Sequence, residues 1–481
     1  MAVDESGRLR ASASAEFGLS MPRPGWAEQD PGLWWQASRQ VLGEVAAACE
    51  GEVVGLGLGG QMHGSVFLDS SGEVIRPALL WNDQRTLRQC EEITEAIGAA
   101  RLLEVAGNPA LTGFQAPKIL WLREEEPEAY ARVRHILLPK DYVRYLLAGE
   151  LATDVSDASG TLLLDVRRRD WSGELLAALG LPAEWFPEVF ESTDEAGRVG
   201  SSVARELGLP AELPVAAGAG DNAAAAVGIG VIREGIASSS IGTSGVLFAH
   251  CDAFTPDPLG RIHAFGHAVP SAYHVMGVTL AAGASLAWWR NVLADGSSYD
   301  DLAKLAAEVP PGSEGLVFLP YLFGERSPHL DPQARGAFVG LSARHTKGHL
   351  TRAVMEGVVF SLRQSLDIVR ELGVPIEEIR AIGGGAKSPV WLQLQADIYG
   401  VPVKKMTVDE GPAYGAALLA GVAAGVFTDV ADACRSVKVS HVVEPNPQVA
   451  QVYEDVYAAY RELYGPLKPW MHQMVKLSSE A

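Results

Sequence analysis

Leu213–Val231 reads LPVAAGAGDNAAAAVGIGV. An apolar run of strand length leads through a glycine bend into an alanine-rich run of helical length. Asp221 and Asn222 stand between them, an acid and an amide alone among small apolar residues. Asp221 suits a helix N-cap, accepting the free backbone N–H groups of the first turn. A strand that enters a helix through glycines is also the unit of α/β folds, and ligands gather at that edge of the sheet. A carboxylate at that place has a second use, as a base facing a ligand. On this segment alone the cap is the ordinary reading, and the rest of the chain changes it.

The chain has 481 residues, too many for one hydrophobic core, so two or more domains are expected. Hydrophobic residues make up 48% and charged residues 20%, which is ordinary for a globular protein in water. A net charge of −20 argues against a nucleic-acid or anionic-membrane partner. It leaves room for an anionic small ligand, because phosphate sites are built from local backbone N–H groups. Cys49, Cys90, Cys251 and Cys434 are far apart and show no metal-ligand spacing, which fits a cytoplasmic location. The N-terminus has no signal-peptide character, and the longest apolar stretch, GAALLAGVAAGVF, is too short to span a bilayer and reads as a buried helix.

Working toward the N-terminus, ATDVSDASGTLLLD reads as a polar loop entering a strand, and helical segments fill Leu87 to Ala148. EVVGLGLGGQMHGSVFLDSSGEVIRPALLWND reads as strand, loop, strand, turn, strand. Asp30 caps a helix whose first residue is Pro31, with Trp34, Ala37, Val41, Val45 and Ala48 at helical spacing. Val3 to Phe17 reads as two strands about the turn DESG. Toward the C-terminus, a second half starts near Ile229. EGIASSSIGTSGVLFAHC gives two strands about a glycine turn, and IEEIRAIGGGAKSPVWLQLQADIYGVPVKKM gives strand, glycine turn and helix.

SIGTSG and IGGGAKS both bare backbone N–H groups after apolar strands. Each alone is a tight turn; two in one half make a nucleotide site reasonable. GLGLGG matches G-x-G-x-x-G, but a strand-like SVFLD follows where a dinucleotide fold needs a helix. The His pairs His263/His267 and His345/His349 lack the Glu of HExxH and a third ligand. No G-x-S-x-G elbow supports hydrolase chemistry. In GQMHG, Gln61 and His63 could bond sugar hydroxyls while Met62 packs on a carbon face; LWNDQRT is a second dense polar cluster after a strand.

Seven segments carry a family resemblance: GWAEQDPGLWW, GLGLGGQMHG, LLWNDQRT, GAGDNAAAAVGIG, SIGTSG, YLFGERSPHLDPQARGAFVGL and GGGAKSPVWLQLQADIYGVPV. In this order, from Gly25 to about Val403, they resemble the FGGY carbohydrate kinases, with QMHG and GDN pointing to the branch that acts on xylulose. The resemblance implies two actin-like (ribonuclease H-like) α/β domains with a ligand cleft between them. The expected division is a sugar-binding half over 1–228 and a nucleotide-binding half over 229–481. It implies transfer of the ATP γ-phosphoryl group to D-xylulose with Mg²⁺, and is compatible with a homodimer. Asp221 falls on the general base. Gln61, Met62, His63 and Asn222 fall on sugar contacts. Gly242, Thr243, Gly283, Gly384, Gly385 and Ser388 fall on the ATP site; the resemblance assigns no metal ligand here.

One departure stands out. The family opens with a strand and Gly-Thr turn that carries an Asp, and MAVDESGRLRASASAEF corresponds to the segment after it. The expected consequences are unpaired backbone in the first domain's sheet and one fewer phosphate turn in the cleft. Other readings stay open on the sequence: another FGGY ketose or polyol kinase, a catalytically weak sugar-binding form, or, from GLGLGG alone, a nicotinamide oxidoreductase.

Overall fold

The computed structural model describes residues 1–49, 51–407 and 411–479. The chain folds as two α/β halves. In the first half, β1 (Ala2–Val3) and β2 (Leu9–Ala11) form a hairpin, and Asp4 Oδ1 accepts from Ser6 N at 2.9 Å in its turn. The second strand ends at Ala11 and does not reach Phe17: none of the described strands runs beside residues 12–17, and a strand without a ladder is not one. Helix α1 (Pro31–Ala48) forms as the sequence predicts, with Asp30 Oδ1 accepting from Gly32 N.

The stretch around GLGLGG holds less regular strand than expected. Only β3 (Gly59–Gly60) and a bridge from Leu56 to Val215 pair with β4 (Pro214–Ala216) and β5 (Ala219–Gly220). The pairing of β3 with β5 is parallel, Gly59 opposite Ala219 and Gly60 opposite Gly220. Two further elements are needed below: α2 (Pro139–Ala148) and the short α3 (Val155–Ala158). The expected polar loop over 152–165 is a correction. Asp154, Ser156, Asp157, Ser159 and Thr161 are all fully buried, because Asp154 caps α3 and the acids meet cations. Helix α4 (Asp221–Gly228) follows β5 directly.

The second half is built on one seven-stranded mixed sheet. Its strands are β6 (Gly235–Ile241), β7 (Gly245–Cys251), β8 (His263–Gly266), β9 (Tyr273–Thr279), β10 (Ile376–Ile382), β11 (Val403–Met406) and β12 (Val439–Val443), in spatial order β8-β9-β7-β6-β10-β11-β12. The β6, β10 and β11 ladders are parallel, so crossovers must return over the sheet. These include α5 (Gly283–Val292), the long buried α6 (Lys347–Glu371) and α7 (Pro389–Tyr399). Then come α8 (Gly411–Ala423) and α9 (Ala450–Ser479). No helix among the described residues is long and apolar enough to cross a membrane. Of GAALLAGVAAGVF, read as a buried helix, Gly415 to Ala423 form the body of α8 and the last four residues follow its end.

Helix α8 leaves its own half and packs on α4, and the two share one apolar cluster through Ala223, Ala224, Val227, Leu418 and Leu419. Small residues allow this. A Cβ on Gly415 would stand 1.8 Å from the Ala224 carbonyl oxygen, and one on Gly228 would stand 3.0 Å from Gly415 N. The backbones are in contact, so even one methyl group forces the helices apart. Gly415→Ala is expected to lower stability by about 1–3 kcal/mol, read as a lower urea midpoint. An unchanged midpoint would mean that the two helices yield there without cost.

Candidate active site

A cleft of ≈ 430 Å³ opens between the N-terminus of α4 and the turns that end β6 and β10. The first half supplies Asp221 and Asn222; the second supplies Ser238, Ser240, Gly384 and Lys387. Asp221 is the first residue of α4, and Gly220 is the N-cap. The expected cap role is therefore corrected: Gly220 is still extended, with ψ 146°, and the chain turns helical at Asp221 itself. Its Oδ1 accepts from Asn222 N at 2.7 Å and from Asn222 Nδ2 at 2.9 Å. Among the described residues Oδ2 takes no hydrogen bond and is not sealed from solvent. Burial pushes the Asp221 carboxyl up to about 6, against the two bonds from Asn222, which favour the charged form.

The parallel pairing of β3 and β5 brings the QMHG segment beside Asp221. A Cβ on Gly220 would stand 2.9 Å from Met62 Cγ, so Met62 forms the floor under the start of α4. His63 sits at φ 70°, a strained left-handed conformation, with Nδ1 2.6 Å from the Gly160 carbonyl. Its ring meets Phe114 edge-on at 4.8 Å, and burial pushes it down to about 3, so it is neutral. Lys118 holds the Phe114 loop by donating to the carbonyls of Thr112 and Phe114. Gln61 is occupied differently: its Nε2 donates to Gln29 Oε1 at 3.2 Å, and Trp34 Nε1 donates to the same oxygen. Of the four expected sugar contacts, Asn222 lines the cleft, Met62 and His63 lie beside it, and Gln61 faces Gln29.

Under this floor lies a fully buried ionic cluster. Lys140 Nζ is 2.5 Å from Asp141 Oδ1, 2.9 Å from Asp154 Oδ1 and 3.6 Å from Asp157 Oδ2, and Arg144 pairs with Asp141 at 3.3 Å. Three carboxyls face two cations with no exposed surface. Burial pushes Asp157, the outermost of the three, well above the carboxylate range. A proton on Asp157 would leave two carboxylates against two cations. Asp154 Oδ2 accepts from Ser156 Oγ at 2.5 Å, and Ser156 Oγ accepts from Gly220 N at 3.1 Å. The cluster thus ties the residue before Asp221 to the protein interior.

The three glycine turns of the second half converge. Gly283 N donates to the Gly242 carbonyl at 2.7 Å, and a Cβ on Gly283 would stand 2.4 Å from that oxygen. Ala282 N donates to the Thr243 carbonyl, while Gly383 and Gly385 stack on Ile241. Ser388 is the N-cap of α7, with no side-chain bond to the helix. Gly384 alone of the six expected nucleotide residues lines the cleft; Gly242, Thr243, Gly283, Gly385 and Ser388 form the turns around it. Lys387 was in the quoted GGGAKS, yet nothing in its spacing marked it as lining the cleft. LWNDQRT is a brace: Arg85 pairs with Asp83 and Glu28, each at 2.7 Å, and lies over the Trp26 ring. His267 Nε2 meets the Val231 carbonyl, and His349 closes a capping box at Thr346.

Comparisons with known proteins agree with this geometry. Residues 1–228 match the N-terminal domain, and residues 237–424 the C-terminal domain, of the FGGY family of carbohydrate kinases. A xylulose kinase of Lactococcus lactis is 42% identical over 99% of this chain and 96% of its own. The crystal structure of a ligand-bound xylulose kinase from Lactobacillus acidophilus superimposes with a TM-score of 0.93 at 28% identity, covering 97% of this chain and 95% of its own. A gluconate kinase from the same bacterium gives the same TM-score and identity, covering 97% and 94%. Backbone shape therefore does not choose the sugar.

The raised carboxyl of Asp221 has a consequence for stability. Its folded value of about 6 lies above the ordinary 3.8, so folding favours the protonated form. That contribution is full below the ordinary value and is lost as pH rises through the folded one. Asp221→Asn, neutral at every pH, is expected to raise Tm relative to the parent at about pH 8, with the gap closing by about pH 4. Scanning calorimetry across that range checks it; a gap that does not change with pH would mean the carboxyl's ionisation plays no part.

Proposed function

We propose that this chain, which belongs to the FGGY family of carbohydrate kinases, transfers the γ-phosphoryl group of ATP to D-xylulose and yields D-xylulose 5-phosphate. The observation that carries the reading is Asp221. It is a carboxyl of raised pKa, half-buried, with one oxygen free, in a cleft whose other wall is glycine turns. As the sugar oxygen attacks phosphorus, its proton passes to Asp221 and the bond from the γ-phosphorus to the leaving ADP oxygen breaks. A base with a value near 6 is ionised at neutral pH and is stronger than an exposed Asp.

The sugar lies on the first half, over 1–228, against Asn222, Met62 and His63, with Gln61 positioned behind them through Gln29. ATP lies on the second half, over 229–481. Gly242, Thr243, Gly283, Gly384, Gly385 and Ser388 shape its turns, and the charge of Lys387 faces the phosphates. No group of three or more His, Cys, Asp or Glu among the described residues could hold a metal ion, so Mg²⁺ would come with the nucleotide and would supply charge neutralisation at its phosphates. Four free cysteines suit a reducing, cytosolic setting. Identity to xylulose kinases along nearly the whole chain favours xylulose over gluconate, which shape alone does not.

ADP release with Mg-ATP and a panel of ketoses, polyols and sugar acids tests the reading. D-xylulose is expected to give the highest kcat/KM, and Asp221→Asn to lower kcat on the order of 10³-fold. Because the base must be ionised, kcat/KM is expected to fall as pH drops through about 6. A higher kcat/KM for another sugar would reject xylulose, and a retained rate in Asp221→Asn would reject the base.

A further inference from the structure

Three polar groups beside His63 remain without partners. His63 and His263 each use Nδ1, on the Gly160 carbonyl and on Asn108 Oδ1 at 2.7 Å. Among the described residues neither Nε2 has a hydrogen bond, and neither is sealed from solvent. The third group is the guanidinium of Arg326, half-buried and without a side-chain hydrogen bond or ion pair among the described residues. A half-buried cation with no acceptor from the protein is free to take one from a ligand.

Arg326 is held in place. Its backbone N donates to Glu325 Oε1 at 2.7 Å, and its carbonyl accepts from Leu330 N. Glu325 in turn accepts from Thr279 Oγ1 at 2.5 Å and from Leu280 N at 3.0 Å. Ser327 bonds Val278 twice, N to carbonyl at 2.9 Å and Val278 N to Oγ at 3.1 Å. Val278 is opposite Val246, which lines the cleft, and two residues earlier Met276 is opposite His263. The loop therefore runs beside the strand that pairs on one side with Val246, at the cleft, and on the other with His263. The His263 ring is 5.9 Å from Phe114, which also meets His63. Electrostatics agree. Burial is the main reason that both histidines are neutral, and the Arg326 charge adds to it at each ring.

We propose that Arg326 and His263, both from the second half, complete the sugar pocket and hold the carbonyl end of the ketose while the hydroxyl to be phosphorylated lies at Asp221. This rests on the kinase reading above. A guanidinium only donates, and a carbonyl oxygen only accepts; with its Nδ1–H given to Asn108 Oδ1, the neutral His263 ring accepts at Nε2 from an adjacent hydroxyl. A polyol, with a hydroxyl in place of the carbonyl, gains less from the cation. Sugar would then bridge the two halves, which couples sugar binding to their approach.

The test compares the parent with Arg326→Met and Arg326→Lys, using D-xylulose as substrate and xylitol as competitor. Arg326→Met is expected to raise the sugar KM on the order of tenfold or more, with kcat and the ATP KM within about threefold. Arg326→Lys, which keeps the charge but loses the fork, should fall between them. Xylitol inhibition should move by less than about threefold in either variant. An unchanged sugar KM, an equal loss for xylitol, or a loss confined to kcat or the ATP KM would overturn the proposal; the last would put the guanidinium on the phosphoryl group. Circular dichroism checks the fold, and Arg326→Lys carries the comparison should the Met variant not fold. Calorimetric affinity for D-xylulose is read alongside. A parent protein that binds the sugar without turnover then counts against the kinase reading, while the Arg326 comparison proceeds on affinity.

Discussion

The carbonyl of Ala224 lies where a side chain on Gly415 would have to be. That contact, one helix from each half meeting backbone to backbone, fixes much of what surrounds it. Asp221 begins one of the two helices, and Gly411 and Pro412, which line the cleft, begin the other. The small residues along α4 and α8 are there because the helices must approach this closely. A larger residue at the crossing would displace Asp221 and the Gly411–Pro412 wall of the cleft together.

The site also shows how burial assigns protonation. Asp221 has one free oxygen and modest help from Asn222, so it stays a carboxylate that is ready to take a proton. Asp157, sealed beside Lys140, is pushed by burial toward the protonated form, which would close the charge count of the buried cluster. That cluster reaches the base through Asp154, Ser156 and Gly220. Removing one partner would leave an unpaired charge in a dry interior, which is more damaging than the net strength of the pairs implies.

Much of this was legible in the sequence for physical reasons. Glycines after apolar strands can have few purposes, and an Asp-Asn pair among alanines is conspicuous; both marked the cleft. Other features depend on distances that the sequence does not show. ATDVSDASGTLLLD reads as solvent-loving until Lys140, on another helix, is brought to its acids. LWNDQRT reads as a site, but Arg85 turns it into a brace with Glu28. Arg326 lies in a conspicuous segment, yet its meaning rests on the absence of a partner, which only three dimensions reveal. Asp221 misses the N-cap position by one residue, a margin within which helix starts are not fixed by residue type.

The crossing of α4 and α8 has a mechanical side. Any rotation of one half against the other about that crossing moves each atom in proportion to its distance from it. Asp221 begins one of the crossing helices and lies near the fulcrum; the Gly242–Ser244 turn and Arg326 are carried on the sheet and loops of the moving arm. A wide swing of the arm is then a small step at the base. Such a lever would let the cleft widen for bulky charged molecules while the Asp221 carboxylate hardly travels.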